Sequence, residues 1–258
     1  MKRLKYLLLM VAVMAAGVQL AGSLPARAQE PSLKVSPAVV HIGAFFNGET
    51  VTVKGVIPAG AQAVLEAVGT SAEEHLMRKG RRGFLWMNVG KITVHDAPSL
   101  YMVASTSKDL LTSATKEAAW GYRSLEKHIT FSGDITAAER PEFMNQFLQL
   151  KESENIYASH PGALKIESAS GGQSLVTGSF YLPTTTKPGT YKILLSVIQD
   201  GKVASRASAD LQVAMVGFPA MLSNLAYGHG ATYGIIAVVI AIVTGFAMGF
   251  LFKGGGGH

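Results

Sequence analysis

An uncharged apolar run near the end of the chain constrains most strongly what this protein can fold into. Residues 231–252, with the sequence ATYGIIAVVIAIVTGFAMGFLF, contain no Asp, Glu, Lys or Arg. A helix rises about 1.5 Å per residue, so a helix of this length can cross a hydrocarbon core of roughly 30 Å. The run therefore predicts a transmembrane helix.

The first residues of the chain predict a signal peptide over residues 1–28. A basic start, MKRLK, precedes an apolar stretch at residues 6–20, and Ala26-Arg27-Ala28 has the small residues of a cleavage site. An uncleaved first membrane helix is the alternative interpretation, but the apolar stretch is short for a span.

Together, these two ends predict a single-pass protein of a bacterial inner membrane. A cleaved signal peptide sends the following chain across the membrane, and the second apolar run stops the transfer. The bulk of the chain would then be periplasmic, and the tail at residues 253–258 would be cytoplasmic. Because the span has no ionisable residue, it is a poor conduit for ions, and any transport would belong to a partner.

The charge and the cysteine content exclude several classes of function. The formal net charge of +6 includes four basic residues of the signal peptide, so the mature chain carries only about +2 and gives no support for a nucleic-acid partner. The chain contains no cysteine, which excludes disulfides, thiolate metal sites and covalent haem attachment. An exported domain of this kind must rely on its hydrophobic core.

Between the two ends, the sequence predicts a mainly β fold with an immunoglobulin-like sandwich. Residues 29–106 contain short Val- and Ile-rich stretches separated by turns, and residues 49–56 alternate as a half-buried strand does. Residues 168–216 form a second β unit, in which Asp200-Gly201 predicts a hairpin turn. The sequence leaves open whether this second unit is a separate domain or completes the first sandwich.

A two-helix insertion is predicted at residues 107–167. Apolar residues recur at helical spacing within residues 109–126 and again from Pro141 onward, and Thr136 with Glu139 matches a capping box. The insertion would pack against the sheets or bridge them.

The juxtamembrane segment, residues 217–230, has two interpretations. Met221, Leu222 and Leu225 have the spacing of one helical face, and Tyr227 would lie at headgroup depth, which favours an interfacial helix. A plain linker is the alternative.

A basic turn is the main candidate site of the exported region. Gly80 and Gly83 bracket the turn, and the apolar stretch that follows to Val94 predicts a central strand. Closely set guanidinium groups and exposed turn amides suit sulfite, sulfate, phosphate or lipid headgroups. The alternative is a solvated hairpin tip. The candidate anion-binding residues are Arg78, Lys79, Arg81 and Arg82.

Within the span, Gly245 and Gly249 form a G-x-x-x-G pair. Such a pair lets two helices approach closely, so it is a candidate contact for a homodimer or for a permease partner. The alternative is chance, because glycine is common in membrane helices.

No motif in the sequence predicts a metal, a cofactor or a reaction. The histidines at 41, 75, 95, 128 and 160 show no metal-binding pair, and G-x-S-x-G, phosphate-binding and dinucleotide motifs are absent. We therefore expect a protein without enzymatic activity. Trp86 and Trp120 are expected to be core or interface residues.

Four short stretches carry a resemblance to a known family: Arg78 to Arg81, Trp86 to Asn88, Ala97 to Thr106, and Tyr233-Gly234. On these stretches the chain resembles a family of uncharacterised transmembrane proteins of alphaproteobacterial type, which have a signal peptide, an exported region and one C-terminal span. The resemblance covers nearly the whole chain. It implies an association with sulfite-exporter-like anion permeases and assigns no site residue.

Two functional hypotheses of different classes follow. The first is a non-enzymatic accessory or interaction protein, tethered by one helix and working beside a membrane partner such as an anion permease. The second is a periplasmic module that binds or senses a small anion through the basic turn 78–82. A third alternative is an enzyme of a type that the sequence does not reveal. Anion binding by the exported region alone would favour the second hypothesis.

Overall fold

The computed structural model describes residues 31–112 and 120–252. The predicted signal peptide, the tail at residues 253–258 and the middle of the first predicted helix, residues 113–119, lie outside the described residues. Within the described ranges the chain forms thirteen strands and five helices, and it is mainly β, as predicted.

The strands are β1 (Ser32–Ser36), β2 (Val39–Ile42), β3 (Glu49–Pro58), β4 (Gln62–Val68), β5 (Ser71–Arg82), β6 (Leu85–Pro98), β7 (Tyr101–Ser105), β8 (Thr130–Gly133), β9 (Tyr157–His160), β10 (Lys165–Ala169), β11 (Gln173–Leu182), β12 (Gly189–Gln199) and β13 (Lys202–Met215). The helices are α1 (Asp109–Thr112), α2 (Tyr122–His128), α3 (Arg140–Ser153), α4 (Gly217–Gly228) and α5 (Gly230–Phe252).

Two sheets enclose the larger hydrophobic core. One has the strand order β1-β3-β11-β10 and the other the order β2-β13-β12-β4-β7-β9. The predicted alternation in β3 is confirmed, because Val51 and Val53 are buried in this core whereas Thr50 and Lys54 are exposed. The core between the sheets thus follows directly from the period-2 pattern of the sequence.

The second β unit completes the sheets that the first unit begins. β11 pairs antiparallel with β3, so that Phe180 lies opposite Val51, and β12 pairs with β4, so that Leu195 lies opposite Leu65. All four of these side chains are buried in the same core. Residues 29–106 and 168–216 are therefore interleaved in both sheets.

A third layer covers the other face of the six-stranded sheet. Along β4, Ala63 and Leu65 belong to the first core, whereas Val64 points to the opposite face and belongs to a second core. Phe147 of α3 lies in this second core, where its ring makes edge contacts with Phe131 of β8 at 6.3 Å. The third layer consists of α2, α3 and the three-stranded sheet β5-β6-β8.

The region predicted as a two-helix insertion also contains strands β8, β9 and β10, so the prediction of helices alone is wrong. β8 pairs with β6, and β9 pairs in parallel with β7, which places Tyr157 beside Tyr101. The helix predicted over residues 109–126 cannot continue through Gly121, whose φ of 73° lies in the left-handed region. Trp120 is buried in the second core, as expected for a core residue.

The C-terminal part of the chain is helical. Helix α5 is the one candidate membrane span among the described residues, and none of its residues is buried by the rest of the chain. The juxtamembrane segment forms helix α4, not a plain linker, and α4 and α5 meet at His229.

Candidate functional site

The candidate functional site lies on a long hairpin formed by β5 and β6. The two strands pair from Ser71 opposite Pro98 to Arg82 opposite Leu85. β8 pairs with β6 only at residues 92–95. Beyond Gly90 the hairpin is therefore a ribbon of two strands, which extends roughly 17 Å at about 3.3 Å per residue.

The end of this ribbon, residues 79–88, is called the hairpin tip below. Its residues from 81 to 88 are all exposed. Phe84 is 95% exposed and Trp86 is 74% exposed, and Leu85 and Met87 beside them are exposed as well. Because side chains alternate between the faces of a strand, Trp86 lies on one face of the tip and Leu85 and Met87 lie on the other. Exposed apolar side chains clustered in this way are typical of an interaction site. The prediction of a central strand holds only at residues 92–95 of β6, where β5 and β8 lie on its two sides.

The structure does not bring the four predicted anion-binding residues into one cluster. Arg81 lies opposite Trp86, and Arg82 lies opposite Leu85. Because side chains alternate between the faces of a strand, Arg81 shares a face with Lys79, whereas Arg82 points to the other face. The Arg81 Nε group donates to the carbonyl of Gly83 at 3.1 Å. Anion binding at this turn stays a prediction.

Arg78 joins the hairpin to the start of α3. Its Nη2 group donates to Glu139 Oε1 at 2.6 Å, and its Nη1 group donates to the Asp134 carbonyl at 3.4 Å. Glu139 Oε2 also accepts the backbone N–H of Thr136 at 2.9 Å, which is half of the predicted capping box, although α3 itself begins at Arg140. Arg78 thus has a structural partner on the protein.

The pKa of Glu139 gives a test of this junction. The Thr136 N–H, with the Arg78 guanidinium and the Thr136 hydroxyl, lowers the pKa of Glu139 from 4.5 to about 2. Because the folded-state pKa lies below the unfolded value, the junction stabilises the fold above pH 4.5, and this contribution is lost as the pH falls towards 2. We expect an NMR titration of the full chain in detergent to show Glu139 ionised down to about pH 2.

An Arg78→Leu variant is the control for this titration. It removes the ion pair but leaves the Thr136 N–H in place, so the pKa of Glu139 should rise and still stay below its ordinary value. If Glu139 of the unmodified protein titrated at its ordinary value, the junction seen here would not exist in solution.

A cleft of about 430 Å³ lies between the hairpin and α3. Met77 and Phe143 supply apolar surface in it, and Arg78, Lys79 and Glu139 supply charges. Lys79, the first residue of the hairpin tip, is one of the residues that line this cleft.

Lys151 of α3 is buried in the third layer. Its Nζ group lies 2.6 Å from Glu74 Oε1 at the root of the hairpin and 3.5 Å from Glu154 Oε2. It also lies 5.4 Å from the ring centre of Phe147. No sequence motif singles out Lys151, although its position four residues after Phe147 places it on the buried face of the helix.

A second buried polar group links the six-stranded sheet to the segment before α2. Tyr101 donates its hydroxyl to Glu66 Oε1 at 2.6 Å and accepts the Gly121 N–H at 2.9 Å. Burial raises the pKa of the Glu66 carboxyl, and the Tyr101 hydrogen bond opposes this rise. Burial, together with the Glu66 charge, also raises the pKa of Tyr101. These contacts give both groups a structural role.

The described residues contain no group of three or more His, Asp or Glu side chains that could hold a metal ion. His95 contacts Glu73 Oε1 at 2.9 Å and Ser132 Oγ at 2.6 Å, which ties three neighbouring strand segments together. Within the described ranges, no buried side-chain nitrogen or oxygen lacks a hydrogen-bond partner.

The two glycines of the span lie on one side of α5, because residues four apart share a helix face. Apart from the adjacent residues and the backbone of the helix itself, no atom of the described residues lies within 4 Å of the position that a Cβ would take at Gly245 or Gly249. The surface is therefore open to a second helix, and its use in a dimer stays a prediction.

Comparison with known proteins identifies a family that covers most of the chain. A family model described as "Putative transmembrane protein (Alph_Pro_TM)" matches residues 32–254. None of the curated proteins compared with the chain matches it. Among solved structures, a family 123 glycoside hydrolase from Clostridium perfringens, described in a study of glycolipid glycan hydrolysis, is similar at 9% identity and a TM-score of 0.22. The match covers 73% of this chain and 27% of the hydrolase chain, and likeness at that TM-score carries no argument.

Proposed function

Since the chain belongs to the transmembrane protein family whose model covers residues 32–254, we propose that it is a membrane-anchored, non-enzymatic interaction protein that binds a partner protein through its hairpin tip. The observation that carries this proposal is the exposed apolar surface of residues 84–87. Tryptophan, phenylalanine, methionine and arginine are the residue types enriched at protein interfaces, and tryptophan and arginine are frequent among those that dominate the binding energy.

The backbone of the hairpin tip favours a protein over lipid as the contact. β5 is an edge strand of its sheet, and beyond Gly90 β6 also has an unpaired edge. Unpaired backbone N–H and C=O groups are costly in the hydrocarbon region of a bilayer. A strand of a partner protein could instead pair with such an edge.

The charge of the hairpin indicates a partner with an acidic surface. Residues 75–95 contain five Lys and Arg residues and no Asp or Glu. The ion pair with Glu139 offsets the charge of Arg78, so the excess positive charge lies at the tip itself. Complementary charges would raise the rate of association and orient the partner.

We also infer the placement of the protein in the cell. The signal peptide predicted at residues 1–28 and the span at α5 support a single-pass protein of a bacterial inner membrane, with a periplasmic bulk and a cytoplasmic tail. A sulfite-exporter-like anion permease is the partner that the family resemblance implies, and the absence of ionisable residues in α5 fits an accessory role beside such a transporter.

We infer further that the two large sheets form an immunoglobulin-like sandwich. In that fold one sheet has the order A-B-E-D and the other contains G-F-C-C′. In chain order, the strands that correspond to A, B, C, C′, D, E, F and G are β1, β3, β4, β7, β10, β11, β12 and β13. The sheet β1-β3-β11-β10 then has the order A-B-E-D, and the strands β13-β12-β4-β7 have the order G-F-C-C′. The hairpin β5-β6 is then an insertion between strands C and C′, which presents the tip away from the sandwich.

The alternative function is binding of a small anion at the basic turn. Lys79 and Arg81 on one face of the tip favour it, but Arg78 is occupied by Glu139 and Arg82 points to the other face. Calorimetric titration of the protein with sulfate and sulfite tests this alternative. Heat of binding that disappears in an Arg81→Ala variant would support it.

Photo-crosslinking in intact cells tests the partner proposal. A photoreactive amino acid in place of Phe84 should give an adduct with a membrane protein, whereas the same amino acid in place of Phe45, which is 98% exposed, should not give that adduct. Because tryptophan in an interface core contributes about 2 kcal/mol or more, Trp86→Ala should weaken binding by roughly 30-fold or more and remove most of the adduct.

A charge-reversal variant of the hairpin tip is a second test in this experiment. Arg82→Glu should also reduce the adduct at position 84, because it reverses a charge facing the acidic partner. An adduct with lipid alone, or an adduct equally strong with both variants, would contradict the proposal.

A further inference from the structure

Another exposed aromatic residue, Phe45, lies near the point where the chain passes from the sheets to the C-terminal helices. β2 runs parallel to the end of β13, with Ile42 beside Met215. The Val216 N–H donates to the Ile42 carbonyl at 2.9 Å. The loop that follows β2, residues 43–48, therefore starts at the same end of the sheet as α4.

This loop presents Phe45 to the outside in a fixed conformation. Phe46 packs against the first core, and its N–H donates to the Gly43 carbonyl at 3.2 Å. The Tyr181 hydroxyl donates to the Asn47 carbonyl at 2.9 Å. These contacts hold Phe46 and Asn47, the two residues that follow Phe45, whereas the Phe45 side chain is 98% exposed.

Helix α4 also exposes an apolar surface. Phe218, Met221 and Leu222 have the i, i+3, i+4 spacing of one helix face, and all three are exposed. Tyr227 is exposed at the end of the helix, immediately before α5. Amphipathic tyrosine side chains are enriched at the level of the lipid headgroups.

Both segments also lack charge. Residues 35–48 contain no Asp, Glu, Lys or Arg, and the same is true of residues 211–252, which include all of α4 and α5. In the hairpin tip, by contrast, the exposed apolar residues are next to basic residues. An uncharged apolar surface that is continuous with a membrane span fits the boundary between headgroups and acyl chains.

We propose that the loop at residues 43–48 and helix α4 lie in the headgroup region of the bilayer that α5 spans. Phe45 and Phe218 enter the acyl boundary, and Tyr227 lies at headgroup level. Two separate segments of the chain then hold the sheets at the membrane, which restricts the motion of the sheets relative to the bilayer. This proposal requires α5 to span the membrane and is independent of the hairpin tip.

Depth-dependent fluorescence quenching tests the proposal. The sequence contains no cysteine, so Phe45→Cys, Met221→Cys and Phe84→Cys each give one site for an environment-sensitive NBD label. The labelled full-length protein is placed in vesicles of phosphatidylethanolamine and phosphatidylglycerol that contain lipid with a nitroxide near the carbonyl end of the acyl chain.

We expect labels at positions 45 and 221 to show blue-shifted emission and to lose most of it to the nitroxide lipid. The label at position 84, on an equally exposed phenylalanine site, should keep its emission. An unquenched label at position 45 or at position 221 would overturn the inference. Quenching at position 84 in addition to the other two would contradict the proposed protein contact of the hairpin tip and leave this inference supported.

Discussion

Replacing Phe147 by Ala should lower the free energy of unfolding by about 3–5 kcal/mol, the range for truncating a large aromatic residue in a core. Phe147 is 1% exposed and contacts the rings of Phe131 and Tyr157. Its core attaches α3 and the hairpin to the outer face of the six-stranded sheet. Urea unfolding of the full chain in detergent micelles, followed by tryptophan fluorescence, measures the change, because Trp120 lies in the same core.

Phe84→Ala is the matched control for this experiment. It removes the same atoms from a side chain that is 95% exposed, so its effect on unfolding should stay within about 0.5 kcal/mol. Similar losses in the two variants would mean that the hairpin tip is buried in solution. A loss below about 1 kcal/mol for Phe147→Ala would contradict the second core, because such a residue should cost at least three times as much.

Individual strands of the two large sheets could be predicted because their pattern is local. The alternation of β3 and the two-residue turn at Asp200-Gly201 need no distant partner to be recognised. In the structure, both turn residues have positive φ, and Gln199 pairs with Lys202 across them, as a hairpin of this type requires. The C-terminal span follows in the same way from length and composition alone.

The third layer could be predicted only in part because its strands depend on distant partners. β8 and β9 have four residues each, which is too short for an alternating pattern to stand out. Their extended conformation comes from pairing with β6 and β7, which lie about 40 to 60 residues earlier in the chain. Helix propensity in the surrounding residues could not reveal that pairing.

The hairpin tip also has one feature that follows from the local sequence and another that depends on distant strand pairing. The glycine and the basic residues predict the turn at Gly83, and φ at Gly83 is indeed positive. The exposure of Phe84 and Trp86 was not predicted, because a run of apolar residues ordinarily indicates a buried strand. What exposes them is the length of β5 and β6, which continue beyond the point where β8 ends.

The buried lysine of α3 provides the second large expected effect. Lys151→Ala should lower the free energy of unfolding by roughly 2–3 kcal/mol. Removing one partner of a fully buried ion pair costs about 3–5 kcal/mol. A smaller value is expected here because the Glu74 side chain is 33% exposed, whereas that of Lys151 is 6% exposed. Urea unfolding of the full chain in micelles measures the loss.

A double-mutant cycle separates the charge of Lys151 from its packing. Lys151→Met keeps most of the apolar stem against Phe147 but leaves the Glu74 carboxylate without its cation, so it should still destabilise the protein. Adding Glu74→Gln removes that unpaired charge, and the double variant should be more stable than the sum of the two single losses indicates. Strictly additive losses would show that the 2.6 Å contact between Lys151 and Glu74 contributes no pairwise energy.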